Sequence, residues 1–294
     1  MRWTAQTGPA GEALARRERS GGPSWVWIEP RRGWAPLDLR ALWNYRELLH
    51  FLAWRDVKVR YKQAVLGGLW AILQPALTAA VLTIFLGRLA HVPSDGVPYP
   101  LFVYAGLIIW QLFSQALSQA SSSVVTSSSL ITKVYFPRLV IPLSSILVSL
   151  VDTAIASTLL LAMMVYYRVS ITPAIVTLPI FLLLAVLAVV AVSSWLSALH
   201  VQYRDVRWLM PFLIQAWMFA TPVMYPSSIV PDAWRPVFGL NPMVGAVEGF
   251  RWALLGQQPP SLLLLAVSSA VTLVVLIGGL YYFRRVEQTF ADTI

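Results

Sequence analysis

Six stretches of the chain are each apolar for about the length of a membrane crossing, near residues 65–89, 100–121, 139–166, 173–199, 207–225 and 261–283. The last, coiled as a helix, reaches ~34 Å and exceeds a hydrocarbon core of ~30 Å. Hydrophobic residues make up 57% of the 294 and charged ones 12%, about half the charge of a soluble domain. So little charge cannot wrap this much apolar surface in water. A water-soluble enzyme and a disordered protein are both excluded. An all-α membrane protein of six transmembrane helices is predicted.

Orientation follows from the basic residues. Twelve Lys/Arg precede residue 65, and Lys133, Arg138, Arg204, Arg207, Arg284 and Arg285 fall on the same side, against Arg88, Arg168, Arg235 and Arg251 on the other. Positive charge stays inside, so both termini are predicted to be cytoplasmic. The net charge of +9 is explained by this placement, and no basic-aromatic motif of a nucleic-acid-binding fold accompanies it. With no cysteine, disulfides, iron–sulfur clusters and thiolate metal sites are excluded.

Residues 1–39 hold Gly, Pro and Arg without an apolar run and read as a flexible cytoplasmic tail, in which Trp25–Ile28 is a possible short docking strand. Residues 40–62 carry Leu42, Tyr45, Leu48, Leu49 and Leu52 at helical spacing and end on Arg55, Lys58, Arg60 and Lys62. They predict an amphipathic helix that lies in the membrane interface or packs on a partner. Residues 286–294 are expected to form a short cytoplasmic C-terminus. Residues 226–256, between the fifth and sixth stretches, are too apolar for a loop, yet Pro231, Pro236, Gly239, Pro242 and Gly245 break them. They are expected to be re-entrant half-helices, because non-helical backbone survives at membrane depth only against protein or a water-filled cavity. Two amphipathic helices on the outer face are the alternative.

Residues for chemistry are sparse. His50, His91 and His200 fall in separate connections, and no HExxH, GxSxG or GxxxxGK[ST] pattern occurs, so catalysis and ATP hydrolysis within this chain are not expected. Asp152 is the one acid in the middle of a span, a functional candidate or a hydrogen-bonding partner for Ser149, Thr153 or a neighbouring span. Residues 121–142 connect spans two and three. Ser128 or Ser129 can cap a short helix at Leu130 to Tyr135, which Pro137 would end. Leu130, Ile131, Val134, Tyr135 and Phe136 are too apolar for a free loop. They form a socket for a soluble partner or rest on the bilayer.

That segment, Lys133-Val-Tyr-Phe-Pro-Arg138 with Pro142, resembles the coupling helix of ABC-type export permeases for polysaccharides and polyol phosphates. Trp54-Arg-Asp-Val-Lys-Val-Arg-Tyr-Lys62, Leu66-Gly-Gly-Leu-Trp70 and Gln74-Pro75 are similar to that family's approach to span one. Tyr203-Arg-Asp-Val-Arg207, Pro211-Phe212, Thr221-Pro222, Tyr225-Pro226 and Asn241-Pro242 are similar to its later segments. The resemblance covers about residues 45–285. It implies an inner-membrane homodimer bound to two copies of a separate ATPase that holds ATP and Mg, with no cofactor in this chain. Its cargo would be a lipid-diphosphate-linked O-antigen, capsule or teichoic acid polymer. Leu130, Ile131, Lys133, Tyr135, Phe136, Pro137 and Arg138 would then contact the ATPase.

Other roles follow from residue chemistry. A diphosphate at the cytoplasmic interface needs cationic donors, for which Arg55, Lys58, Arg60, Lys62, Arg204 and Arg207 are candidates, although topology and anionic-lipid contact use the same charges. A sliding glycan suits aromatic faces, and Trp70, Trp110, Trp195, Trp217, Phe219 and Tyr225 either supply them or belong to interfacial belts. Phe238, Leu240, Met243 and Val247 are expected to seal the outer end by excluding water. Glu248 and Arg251, three apart on one helical face, are expected to pair within a protomer or across the dimer axis. An ABC drug or antibiotic efflux permease is the nearest alternative. A polytopic glycosyl- or acyltransferase would need an acid or histidine cluster that the chain does not present, and a non-catalytic scaffold would need no re-entrant segment.

Overall fold

The computed structural model describes residues 39–62, 67–287 and 290, and every regular element among them is helical. The expected tail, Trp25–Ile28 within it, residues 63–66 and most of the C-terminal residues lie outside the described residues. Helices α1 (Leu39–Asn44) and α2 (Arg46–Lys62) replace the single predicted helix, with a turn at Tyr45 between them. Next come α3 (Leu69–Leu82), continued by wider π-helical turns over Thr83–Leu89, and α4 (Tyr99–Thr126). They are followed by α5 (Ser128–Lys133), α6 (Val140–Tyr166), α7 (Leu178–Gln202), α8 (Val206–Phe219), α9 (Arg235–Phe238), α10 (Pro242–Leu255) and α11 (Leu262–Glu287).

Among the described residues, five helices are long and apolar enough to cross a membrane: Leu69–Leu89, Tyr99–Thr126, Val140–Tyr166, Pro173–Gln202 and Leu262–Glu287. The predicted crossing at 207–225 is different. Its helix, α8, has 14 residues and spans ~21 Å, short of the hydrocarbon core. Pro222 accounts for the early stop, because proline lacks a backbone donor and disfavours helical geometry at the residue before it. The chain then turns through 220–225 rather than completing a span.

The centre of the bundle is α4, buried from Leu101 to Val124 on nearly every side and packed against α3, α6, α7 and α10. Small residues permit the closest approaches. A Cβ on Gly279 would lie 2.7 Å from the Ala191 carbonyl, and the Trp195 indole packs into the same notch and donates to the Val275 carbonyl at 3.0 Å. Trp195 therefore joins α7 to α11. Of the two expected half-helices, the first is reduced to the four residues of α9 between exposed turns. The second, α10, is buried along most of its length among α4, α7 and α11.

Helix α2 runs beside the first half of α6. Leu52 shares an apolar cluster with Ile141, and eight residues further on Arg60 reaches Asp152. Asp152 is twelve residues into α6, ~18 Å from its start. The basic end of α2 is thereby carried deep along a spanning helix.

Candidate functional site

At the end of the bundle where α2 begins, α5 and the strand-like residues after it form an anchored projection. Ser127 precedes the helix without a side-chain cap bond, and Val134 is already extended, so α5 stops before Tyr135. Pro137 does not end it. Pro137 opens α6 instead, its carbonyl accepting from Val140 N–H at 3.0 Å. Beyond the helix, Tyr135 is 71% exposed and Phe136 4% exposed. Phe136 and Ile131 sit in a cluster with Leu52, Ile141, Phe283 and Phe290. Arg138 is used internally: its N–H donates to Glu287 Oε1 at 2.8 Å and its guanidinium to the Glu287 carbonyl. Among the expected contact residues, Lys133 and Tyr135 are therefore presented outward beside Val134, while Ile131, Phe136 and Arg138 hold the base and Leu130 and Pro137 are half-buried.

Deeper along α6, Asp152 is 8% exposed. Arg60 and Tyr61 of α2 donate to its two carboxylate oxygens. Ser149 and Thr153, two of its expected partners beside a neighbouring span, instead donate to their own helix, to the Ser145 carbonyl at 3.3 Å and the Ser149 carbonyl at 2.8 Å. Burial and then the Asp152 contact raise the Tyr61 pKa above its ordinary value, so the phenol stays a donor. The other expected phosphate-binding cations are dispersed. Arg55 pairs with Asp56 at 2.8 Å, and Lys58 lies over the Trp54 ring at 5.5 Å. Lys62, Arg204 and Arg207 are exposed, the last two on the turn into α8, which packs on α4 and α7.

Toward the opposite end lies the least expected arrangement. Arg251 on α10 is 1% exposed and forms no ion pair with Glu248. Its Nε donates to the Phe102 carbonyl at 3.2 Å, one terminal nitrogen to the Pro222 carbonyl at 2.5 Å and the other to the Val223 carbonyl. The guanidinium carbon sits 3.7 Å from the centre of the Phe102 ring, a cation–π distance. Tyr99 donates to the Met224 carbonyl at 2.8 Å. These side chains satisfy the carbonyls that the proline break at 222 leaves without helical partners. Glu248 accepts from the Ser227 N–H and hydroxyl instead. Asn241 completes the joint: its Oδ1 caps α10 at Met243 N–H (3.0 Å) and accepts from Trp217 (3.0 Å), and its Nδ2 donates to the Ala220 carbonyl (3.0 Å).

The expected path aromatics divide in the same way. Trp110 is buried beside Phe113, and Phe113 meets Trp217 edge-on. Trp70 and Phe219 are exposed, and Tyr225 donates to the Phe219 carbonyl at 2.9 Å. Among the expected gate residues, Met243 and Val247 are core, whereas Leu240 is 56% exposed and Phe238 meets Tyr225 at 6.4 Å. Leu240→Ser is therefore expected to leave stability unchanged and, in a reconstituted transporter, to raise resting ion leakage. Met243→Ser should instead lower folded yield, by a core loss of about 2–5 kcal/mol. Conductance and size-exclusion profiles of both variants check this.

A buried multi-pass helical bundle with an anchored projection at one end has the construction of a transporter's membrane subunit. The chain belongs to the ABC-2 type transporter family, whose profile matches residues 47–255. It is 32% identical over 216 residues to the O-antigen export system permease protein RfbA of Myxococcus xanthus, covering 72% of this chain and 82% of that one. A Klebsiella pneumoniae protein of the same name is 27% identical across 70% of this chain and 79% of its own length. The polysialic acid transport protein KpsM of Escherichia coli is 26% identical across 68% and 78%. The export-permease resemblance carried by the coupling and proline motifs agrees with these relatives.

Sequence reasoning assigned Arg251 to Glu248 and missed its role at the backbone break. The signal was present: an arginine in an apolar stretch near Pro222 has few ways to be satisfied other than carbonyls freed by a proline. It also passed over Gln111, Gln115 and Gln119, spaced by four along one face of α4.

Proposed function

We propose that this chain is the membrane subunit of an ATP-driven exporter that moves a lipid-diphosphate-linked, O-antigen-like polysaccharide across the bacterial inner membrane. It acts as a homodimer with two copies of a separate ATPase, both termini in the cytoplasm. The observation that carries the reading is the coupling projection, exposed at Lys133, Val134 and Tyr135 and rooted through Ile131 and Phe136. A projection with a rigid root transmits force; an unanchored loop would absorb it. ATP closure of the ATPase pushes this element, and the root passes the push to α2, α6 and the end of α11, which share its apolar cluster. The relatives' names support the cargo class. Arg60, Lys58 and Lys62 meet the lipid diphosphate along α2, and the exposed aromatics and Leu240 border the path.

The test separates docking from folding. Tyr135→Ala with Val134→Ala should abolish surface glycan and partner-ATPase co-purification while leaving membrane insertion and thermal stability as in the wild type. Phe136→Ala should instead lower stability by about 3–5 kcal/mol. Normal surface glycan with the exposed pair removed rejects the coupling role.

A further inference from the structure

We propose that the seam between α4 and α6 is a binding site for a neutral polyhydroxylated ligand, a sugar ring, held within one protomer. The sugar's source, the exported glycan, rests on the function proposed above; the site's chemistry does not.

A cavity of about 300 Å³ opens beside the coupling segment, bordered by Arg55 and Asp56 of α2, Gln119 and Ser122 of α4, and Ser144 and Ser145 of α6. Further along the same seam is a gap of about 10 Å³ bordered by Gln111, Gln115, Ser149 and Asp152. Two spanning helices thus face one another with polar stripes. On α4 the stripe runs Gln111, Gln115, Gln119, Ser122 and Thr126; on α6 it runs Ser145, Ser149 and Asp152. Steps of three and four keep each set on one helix face.

The stripes are not satisfied by each other. Ser122, Thr126 and Ser144 donate to carbonyls of their own helices, which leaves their oxygen lone pairs free to accept. Ser145 is 8% exposed and its hydroxyl has no protein partner among the described residues. The carboxamides of Gln111, Gln115 and Gln119 likewise have none. The three glutamines are half-exposed, so their amides face the open space of the seam and are available to a ligand there.

The charge pattern selects the ligand class. Arg55 is paired with Asp56, and Asp152 is taken by Arg60 and Tyr61. Among the described residues that border the two openings, no unpaired cation remains for a phosphate, and no unpaired acid for a metal or an amine. What remains is carboxamide and hydroxyl, which donate and accept in turn, as the hydroxyls of a sugar do. The cavity volume is at the lower end for small-molecule sites, of the order of 300 Å³.

The absence of cysteine makes the test direct. Ser145→Cys, and separately Gln115→Cys, places a single thiol in the seam of the full chain, purified with its ATPase in lipid nanodiscs. Its modification by a small water-soluble thiol reagent is timed with free glucose, galactose, N-acetylglucosamine or inorganic pyrophosphate added. Neutral sugars should slow labelling as occupancy rises, about tenfold at ten times Kd. Pyrophosphate should not, and Thr132→Cys on exposed α5 should be unaffected by either. The proposal is overturned by labelling that no sugar slows, by protection from pyrophosphate alone, or by thiols in both positions that never react. Surface glycan in cells lacking the chain is scored in parallel. Lost glycan with no protection rejects the seam and keeps the exporter; retained glycan with protection rejects the exporter and keeps a sugar site.

Discussion

Arg251→Leu is expected to be the most damaging single substitution in the bundle. The guanidinium serves the carbonyls of Phe102, Pro222 and Val223; Phe102 lies within α4 and keeps its helical donor, whereas Pro222 and Val223 follow the break and have no other donor among the described residues. Hydrogen bonds to a charged group contribute about 1.5–3 kcal/mol each, and each buried carbonyl left idle costs about 1–3 kcal/mol. Even with heavy overlap between these effects, the loss exceeds about 4 kcal/mol, a large share of the 5–15 kcal/mol that holds a domain together. Detergent-solubilised protein should melt about 10 °C lower, or fail to accumulate. Arg251→Lys should fall between, because one ammonium cannot span three diverging carbonyls. Gly106→Ala should act in the same direction, since its Cβ would press on the guanidinium and lie 2.9 Å from the Val223 carbonyl. Glu248→Gln is the control. Were the two residues an ion pair, it would match Arg251→Leu; held by Ser227, it should shift melting only slightly. A melting point for Arg251→Leu within about 2 °C of the wild type rejects the account.

That contrast marks where the sequence was legible. Hydropathy located five of the span-length helices to within a few residues, because lipid demands a continuous apolar helix and leaves few alternatives. It overran at 207–225, where average hydropathy hides a proline that stops α8 at Phe219. The coupling segment was readable as an apolar projection, but not which side chains anchor it. Tyr135 and Phe136 are adjacent and alike in composition, and only the folded chain turns one outward and the other into the cluster with Ile131 and Phe283. Spacing also offered Glu248 for Arg251, and Ser149 or Thr153 as well as a neighbouring span for Asp152. The local partners failed for one reason: neighbours on a helix had nearer carbonyls or a distant element to bind, and long-range partners leave no periodic trace. Arg60 and Asp152 are 92 positions apart.

The Arg60–Asp152 pair separates a structural role from a transport role. Asp152→Ala removes the acceptor for both Arg60 and Tyr61, and α2 loses its hold on the middle of α6. Breaking a buried pair costs about 3–5 kcal/mol, and less here because the Arg60 side chain is 30% exposed. Export should fall at least tenfold while some folded protein survives. Asp152→Asn keeps one acceptor and a donor of the wrong sense for Arg60, so it should recover folding in part. The decisive variant exchanges the pair, Arg60→Asp with Asp152→Arg. If the ion pair only positions α2, the exchange restores both melting temperature and surface glycan. On the proposed function Arg60 also meets the lipid diphosphate, so the exchange should restore melting but not export, because the cation now projects from α6 and a carboxylate takes its place on α2. Stimulation of the partner ATPase by lipid-linked substrate should be lost in step. Full recovery of surface glycan in the exchanged protein would remove Arg60 from the substrate's path and leave Lys58 and Lys62 as the cations of α2 that meet it.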